Sequence, residues 1–534
     1  MGPLDWAVVA GYILLVLGIG FLLSRRQRDR RDYYVAGRRM EPWKVALSLV
    51  ATQVSAISIV GAPAFIALKE GGGLRWWQYE LAVPLAMIFL MLTLVPLYHR
   101  MKAITIYHYL EGRYGGGVRA TISAIFLISR GLGAGVILFA TGVVLATLIG
   151  WPLAETLVVV ALITVAYTTL GGIAADIYSD ILQLGILWFS ALFMVLLLLG
   201  MMGWDVADYL AQAPERMRVF IINASGLGDG QTFALWPMLL GGFFLYLSYY
   251  GTDQSEAQRL LTTKDAADAQ KALLLNGLLR FPLVLTYSAV GILLLAYLMH
   301  DPDFLKVMAG KRADFLVPEF VLRHFPPGMV GLFMAGIFAA TMSSIDSAMN
   351  ALSAATYEDL LARLFPRLND LSPSRQLLLS KVLTVLWGLL STLFALSLIS
   401  SSETVIELVN RIGSAFYGPI LSVFLMGMFW RRVSGVASIL GLLAGVLFNL
   451  YLWRFQPGVS WMWWNLFGFL MASAVAFIAS LLLPERRDVS AYVVSMSEVL
   501  NEAKRRRGYV ILLLGAFTFI VAVSLVAEIT LGRT

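Results

Sequence analysis

The sequence predicts an all-α integral membrane protein of about 14 transmembrane helices. Three observations carry that expectation. Only 14% of residues are charged and 59% are hydrophobic, where a soluble domain carries about a quarter charged. Mean hydropathy is +0.78. Long apolar stretches recur from one end of the chain to the other, and about 20 such residues at about 1.5 Å each cross the roughly 30 Å of bilayer hydrocarbon.

The expected spans, in order, are 5–24, 42–68, 77–98, 119–148, 152–170, 177–201 and 232–252. They continue with 272–299, 328–357, 377–399, 404–429, 433–453, 461–483 and 508–531. Met1–Asp5 carries no cationic side chain and the basic cluster follows the first apolar stretch, so that stretch reads as an anchor with its N-terminus outside. With that orientation the inner loops hold about 26 Lys and Arg and the outer loops about 10. The +7 net charge then belongs to loops such as Arg28–Arg31 and Lys504–Arg507, and no nucleic-acid partner is expected. Both termini are expected outside, in a bacterial-type inner membrane.

Segment 42–68 contains Val54-Ser55-Ala56-Ile57-Ser58 and Gly61-Ala62-Pro63, and segment 232–252 ends in Ser248-Tyr249-Tyr250-Gly251-Thr252. Both read as interrupted helices, at matched places in two five-segment blocks, 42–201 and 232–429. Such matched interruptions point to an inverted-repeat transporter. The remaining organisation is 1–41 (first helix and basic loop), 202–231 (outer loop) and 430–534 (three further helices). The inner loop 485–507 is expected to form a short amphipathic helix.

The chain has no cysteine, which excludes disulfides, iron–sulfur clusters and thiolate zinc. His99, His108, His300 and His324 lack metal-ligand spacing and read as interfacial. There is no HExxH pair and no phosphate-cradling GxxxxGK[ST] run, so neither a membrane enzyme nor an ATP-driven pump is expected. No organic cofactor is expected either. A non-transporting sensor or an ion channel is the rival from another class.

Charges inside hydrocarbon cost several kcal/mol and face a cavity or a partner. Glu80, Arg130, Asp180, Arg280, Asp346, Lys381 and Arg411 fall inside expected spans. Lys381, near a segment start, snorkels. The string Ala339-Ala340-Thr341-Met342-Ser343-Ser344-Ile345-Asp346-Ser347 offers adjacent hydroxyls on an apolar helix. It reads either as a sodium-ligating face or as small-residue helix packing.

Motifs in order carry a resemblance. Gly171-Gly172 is followed by Tyr178-Ser179-Asp180 and Gln183, then Thr252-Asp253-Gln254 by Gln258-Arg259, then Gly418-Pro419 by Phe429-Trp430-Arg431-Arg432. Over nearly its whole length the chain resembles the sodium–solute symporter family, which includes sodium–glucose, iodide, proline and sialic-acid transporters. The resemblance implies a LeuT-type inverted-repeat core of five plus five helices, with one helix before it and three after. It also implies sodium as the coupling ion, at a site made by Ala51, Val54, Ala340, Ser343 and Ser344. Asp180 matches an acid near a second cation in some members, with Ser343, Asp346 and Ser347 beside it. Asp346, where many members have Ser or Thr, reads alternatively as an inner-end residue reaching water.

The resemblance also implies a substrate region. Glu80 falls on a sugar-contacting Glu of the sodium–glucose cotransporters, and Arg280, 21 positions after Arg259, on a sugar-contacting Lys. Arg411, seven before Gly418, stands where they have Gln. Tyr249 matches a gating aromatic, and Gln53 and Ser58 replace polar residues of the broken helix. Arg130 lies about one turn from a carboxylate-binding Arg of the sialic-acid members. Two readings stay open. In one, the arginines make a pocket for an anionic or zwitterionic solute, such as a sugar acid or small carboxylate. In the other, Arg280 pairs with Glu80 while Arg130 and Arg411 fix helices, and the solute is a neutral sugar or polyol. A monomer that works by alternating access is expected.

Overall fold

In hydrocarbon the backbone N–H and C=O groups have only each other to bond, so the apolar stretches fold as helices. The computed structural model describes residues 1–25, 27–53, 56–400 and 405–531; at 56–57, 147, 400 and 405–411 it describes the backbone alone. The helices that build the bundle and its central cavity are α1 (Pro3–Ser24), α2 (Pro42–Gln53), α3 (Ala56–Ala67), α4 (Trp77–Glu80), α5 (Ala82–Leu92) and α6 (Leu94–Met101). Next come α7 (Gly116–Ile149), α8 (Leu153–Met201), α9 (Gly242–Thr252), α10 (Gln254–Leu261), α11 (Ala266–His300) and α12 (Met329–Ala355). The last six are α13 (Pro373–Ser397), α14 (Val405–Phe429), α15 (Gly435–Phe455), α16 (Trp461–Leu482), α17 (Met496–Arg505) and α18 (Arg507–Leu531).

Among the described residues, 11 helices are long and apolar enough to cross a membrane, or 12 with α2 and α3 taken as one bent span. The expected 14 is not recovered by that measure, and the difference arises at two places. The expected spans 152–170 and 177–201 are merged in α8, whose 49 residues would run ~74 Å if straight, over twice the hydrocarbon thickness. Gly172 breaks that run with φ +56° and ψ −163°. A side chain there would meet the Tyr33 ring and carbonyl at 2.7 Å, so glycine serves both the bend and the close approach. The expected segment 232–252 is instead a π-helical turn, Pro237–Gly241, then α9, with α10 following after Asp253.

Burial sorts the helices into centre and rim. In the most apolar stretch of Met329–Leu364, 89% of residues are buried, against 22% for Arg507–Leu531. The α12 helix is therefore central, while α18 presents apolar side chains such as Ile511 and Phe519 to lipid. The α2–α3 pair packs on α8, α11 and α12, and α9 packs on α5 and α14. Both interrupted segments thus face the bundle interior. The inner-loop helix expected in 485–507 is α17, with Met496 and Leu500 exposed on one face and Ser495 capping its start through the Glu498 N–H.

Candidate functional site

A cavity of about 670 Å³ lies between α3, α4, α7, α9 and α11. It runs from Arg312–Asp314, at the start of a short 3-10 turn, down to Thr52 and Ser344. Gln53, Ser58, Glu80, Arg130, Tyr249 and Arg280, which the sequence places in a substrate region, all line it. Arg411 belongs to α14, and its side chain lies outside what is described.

The break in the second span has a local cause. The Ser58 hydroxyl donates to the Gln53 carbonyl at 3.3 Å, a side-chain bond spanning the junction of α2 and α3. Pro63 inside α3 removes a further backbone donor.

Charge in the cavity is mostly paired. Arg280 Nε and Nη2 donate to Glu80 at 2.7 and 3.1 Å, and Nη2 also donates to the Tyr246 hydroxyl at 2.7 Å. Arg312 pairs with Asp314 at 3.2 Å, and Lys69 lies over the Phe65 and Phe233 rings. Arg130 is paired more loosely: its ion pair with Asp253 is 3.7 Å long, beyond hydrogen-bond distance, and its buried Nε makes no hydrogen bond of normal geometry among the described residues. Gln53 Oε1 and Tyr287 Oη, also on lining residues, are likewise buried without one.

Below the cavity the Tyr249 and Tyr417 rings meet edge-on at 6.4 Å. The Tyr249 hydroxyl donates to Glu256 at 2.8 Å. A smaller cavity of about 50 Å³ lies beyond, lined by Tyr107, Ser129 and Asp253, with Arg130 and Tyr417 shared between the two.

The hydroxyl string faces the broken helix. Ser344 Oγ lies 3.4 Å from the Thr52 carbonyl and 3.3 Å from the Ala340 carbonyl. Ala51, Ala340, Ser343 and Ser344 are all buried, and Val54 lies outside the described residues. Two carbonyls and a hydroxyl meeting at the end of the cavity suit a hard alkali cation. The Thr52 carbonyl was not anticipated, because which carbonyl a broken helix frees depends on where its hydrogen bonds stop.

One turn further along α12, Ser347 meets a buried charge cluster. Arg259 Nη2 donates to Asp176 at 3.0 Å and Asp180 at 3.1 Å, and its Nε donates to Ser48 at 2.7 Å. Asp180 Oδ1, Asp346 Oδ2 and Ser343 Oγ are buried without hydrogen bonds of normal geometry among the described residues. Asp346 is fully buried, so it does not reach water. No group of three or more His or acidic residues, among those described, is arranged to hold a metal ion. Any cation here would draw on hydroxyls and carbonyls as well. Asp176 was missed, although it stands four residues before Asp180 and so shares its helix face.

The family model described as Sodium:solute symporter family matches residues 33–445. The chain belongs to the sodium:solute symporter family. It is a multi-pass membrane transporter coupled to sodium, and not an enzyme. It is 28% identical over 465 residues to the human (Homo sapiens) sodium/iodide cotransporter, covering 84% of this chain and 69% of that one. It is 25% identical over 451 residues to the sodium/sialic acid symporter SiaT of Proteus mirabilis, covering 84% and 88%. A cattle (Bos taurus) sodium-coupled monocarboxylate transporter 2 is 29% identical over 458 residues, covering 84% and 72%. The fold matches the substrate-bound, outward-open state of a sodium-coupled sialic acid symporter, with TM-score 0.82 and 22% identity over 91% of this chain and all of that one. A nucleobase-cation-symport-1 family transporter in a closed conformation matches at TM-score 0.54 and 14% identity, over 88% of this chain and 97% of that one. Symporters of this family therefore share with the present chain the LeuT-type fold that the motifs imply.

Proposed function

We propose that this symporter imports a small organic anion bearing hydroxyls, such as a sugar acid or hydroxylated carboxylate. The carrying observation is Arg130, a cation lining the central cavity whose ion pair with Asp253 is a loose one, at 3.7 Å. A carboxylate there gains charge-assisted hydrogen bonds from a planar donor. Glu80, Arg280 and Gln53 read hydroxyls, and Arg411 adds a second cation from α14. Relatives named for sialic acid and monocarboxylates support the anionic reading. The Glu80–Arg280 pair supports a second reading, because a neutralised pair serves a neutral sugar or polyol equally well.

Sodium in the Ala51, Val54, Ala340, Ser343 and Ser344 cage bridges α2 and α12 and favours the state that opens the cavity outward. Solute binding is then favoured in the same state, and the two affinities rise together by thermodynamic reciprocity. Rearrangement of Tyr249 against Tyr417 opens the smaller cavity inward. Asp180, Ser343, Asp346 and Ser347 form a second cation site. We place the working unit as a monomer in a bacterial-type inner membrane, both termini outside, its core made of the repeats 42–201 and 232–429.

The test is a thermal-shift and proteoliposome-uptake screen against sugars, sugar acids, amino acids and carboxylates, each with sodium and with potassium. Sodium-dependent stabilisation and uptake confined to the anionic solutes are expected. Stabilisation by neutral sugars alone would reject the anionic reading.

A further inference from the structure

One side chain ties the sodium cage to the rest of the bundle. Arg259 on α10 is completely buried, and its donors reach three other helices as well as its own. Nε bonds Ser48 on α2, Nη2 bonds Asp176 and Asp180 on α8 and also Ser347 on α12, and Nη1 bonds the Ser255 carbonyl at 2.7 Å. A guanidinium has five N–H donors in a fixed plane, so it can hold several partners in one geometry.

The positions of these partners matter. Ser48 precedes Ala51 by three residues on α2, and its carbonyl accepts the Thr52 hydroxyl at 2.9 Å. Ser347 follows Ser343 by one turn on α12 and donates to its carbonyl. Arg259 therefore holds both walls of the cage from one turn away. It touches neither the cage oxygens nor the large cavity.

We propose that Arg259 is a positioning residue for sodium binding: it keeps α2 and α12 apposed so that the Thr52 and Ala340 carbonyls and the Ser344 hydroxyl meet at one point. Opening of the bundle toward the smaller cavity must separate α2 from α12 and release Ser48 from the guanidinium. Sodium and Arg259 then clamp the same pair of helices at adjacent turns, and each is strengthened by the other. This rests on the cage as the sodium site.

The absence of cysteine makes the test direct, because a single introduced thiol is the only one in the chain. Ser129→Cys places it in the smaller cavity. Its labelling in the purified full-length protein is followed in sodium chloride against choline chloride. Sodium is expected to protect the thiol. Adding Ser48→Ala, which removes the α2 bond to Arg259 together with the Ser48 hydroxyl's own bond to Asp180 at 2.5 Å, is expected to raise the half-protecting sodium concentration about five- to tenfold, with full protection kept at saturation. The charge-conserving pair Arg259→Gln with Asp176→Asn is expected to shift it further in the same direction. Half-protection at the parental concentration in both variants overturns the role of Arg259. Protection lost at every sodium concentration, with a fallen melting temperature, also overturns it, since that marks a purely structural residue. No protection by sodium in the parent Ser129→Cys protein rejects the cage itself and not Arg259 alone.

Discussion

The Arg280 guanidinium lies across the Glu80 carboxylate, with Nε 2.7 Å from one oxygen and Nη2 3.1 Å from the other. The pair joins α11 to α4 across the cavity wall, and the Glu80 side chain is only 1% exposed. Removing one partner leaves a buried charge uncompensated, which costs about 3–5 kcal/mol. Glu80→Gln should therefore lower the melting temperature more than the double variant Glu80→Gln/Arg280→Gln. A double-mutant cycle on purified protein measures this, and additive losses would show that the pair is not coupled.

Arg130 is the cation whose replacement should separate solute classes. Arg130→Gln removes a charged donor worth about 1.5–3 kcal/mol, so affinity for a bound carboxylate solute should fall roughly 10- to 150-fold. Affinity for a neutral polyol should change about twofold or less, because a hydroxyl does not need the charge. Isothermal titration with matched sugar and sugar-acid pairs checks it. Equal losses for both would assign Arg130 to helix fixing through Asp253.

Ser344 lies between the Thr52 and Ala340 carbonyls, so its hydroxyl should be a direct contributor to sodium affinity. Ser344→Ala should raise the sodium concentration for half-maximal activation of uptake about tenfold, with Ser344→Thr close to the parent. Ser343→Ala, whose hydroxyl belongs to both cation sites in the reading above, should reduce the steepness of sodium activation as well. An unchanged sodium curve in Ser344→Ala would remove it from the cage.

Much of this arrangement was legible in the chain. Hydropathy marks the helices because a spanning helix must satisfy its backbone internally, and Ser58 with Pro63 marks the break in the second span. Glu80, Arg130 and Arg280, which the resemblance puts in one region, all line one cavity. The rest depends on which side chains meet across helices. Asp253 reads as part of a motif, yet only the folded chain sets it 3.7 Å from Arg130. Arg259 and Ser48 are 211 residues apart in sequence, and no local pattern pairs them. Whether Arg280 was free or paired was likewise undecidable from spacing, because a guanidinium reaches Glu80 only if α4 and α11 come together.

The inner loop supplies a prediction about acid. Glu485 accepts from Arg487 Nε at 3.1 Å and Nη2 at 2.9 Å, and the Arg113 guanidinium stands 4.0 Å away. The Arg487 hydrogen bonds, reinforced by the Arg486 and Arg487 backbone N–H groups, hold the Glu485 carboxyl down to about 2 from its ordinary 4.5. A depressed carboxyl stabilises the fold fully above its unfolded value and loses that contribution as pH falls toward the folded one. The melting temperature of the parent should exceed that of Glu485→Gln by about 2 °C from neutral pH down to about pH 5. The gap should narrow steadily below 4.5 and vanish as pH falls through about 2. Parallel melts of the two proteins across that range decide it: a gap that closes between pH 7 and 5 would mean that a group other than this carboxylate carries the difference.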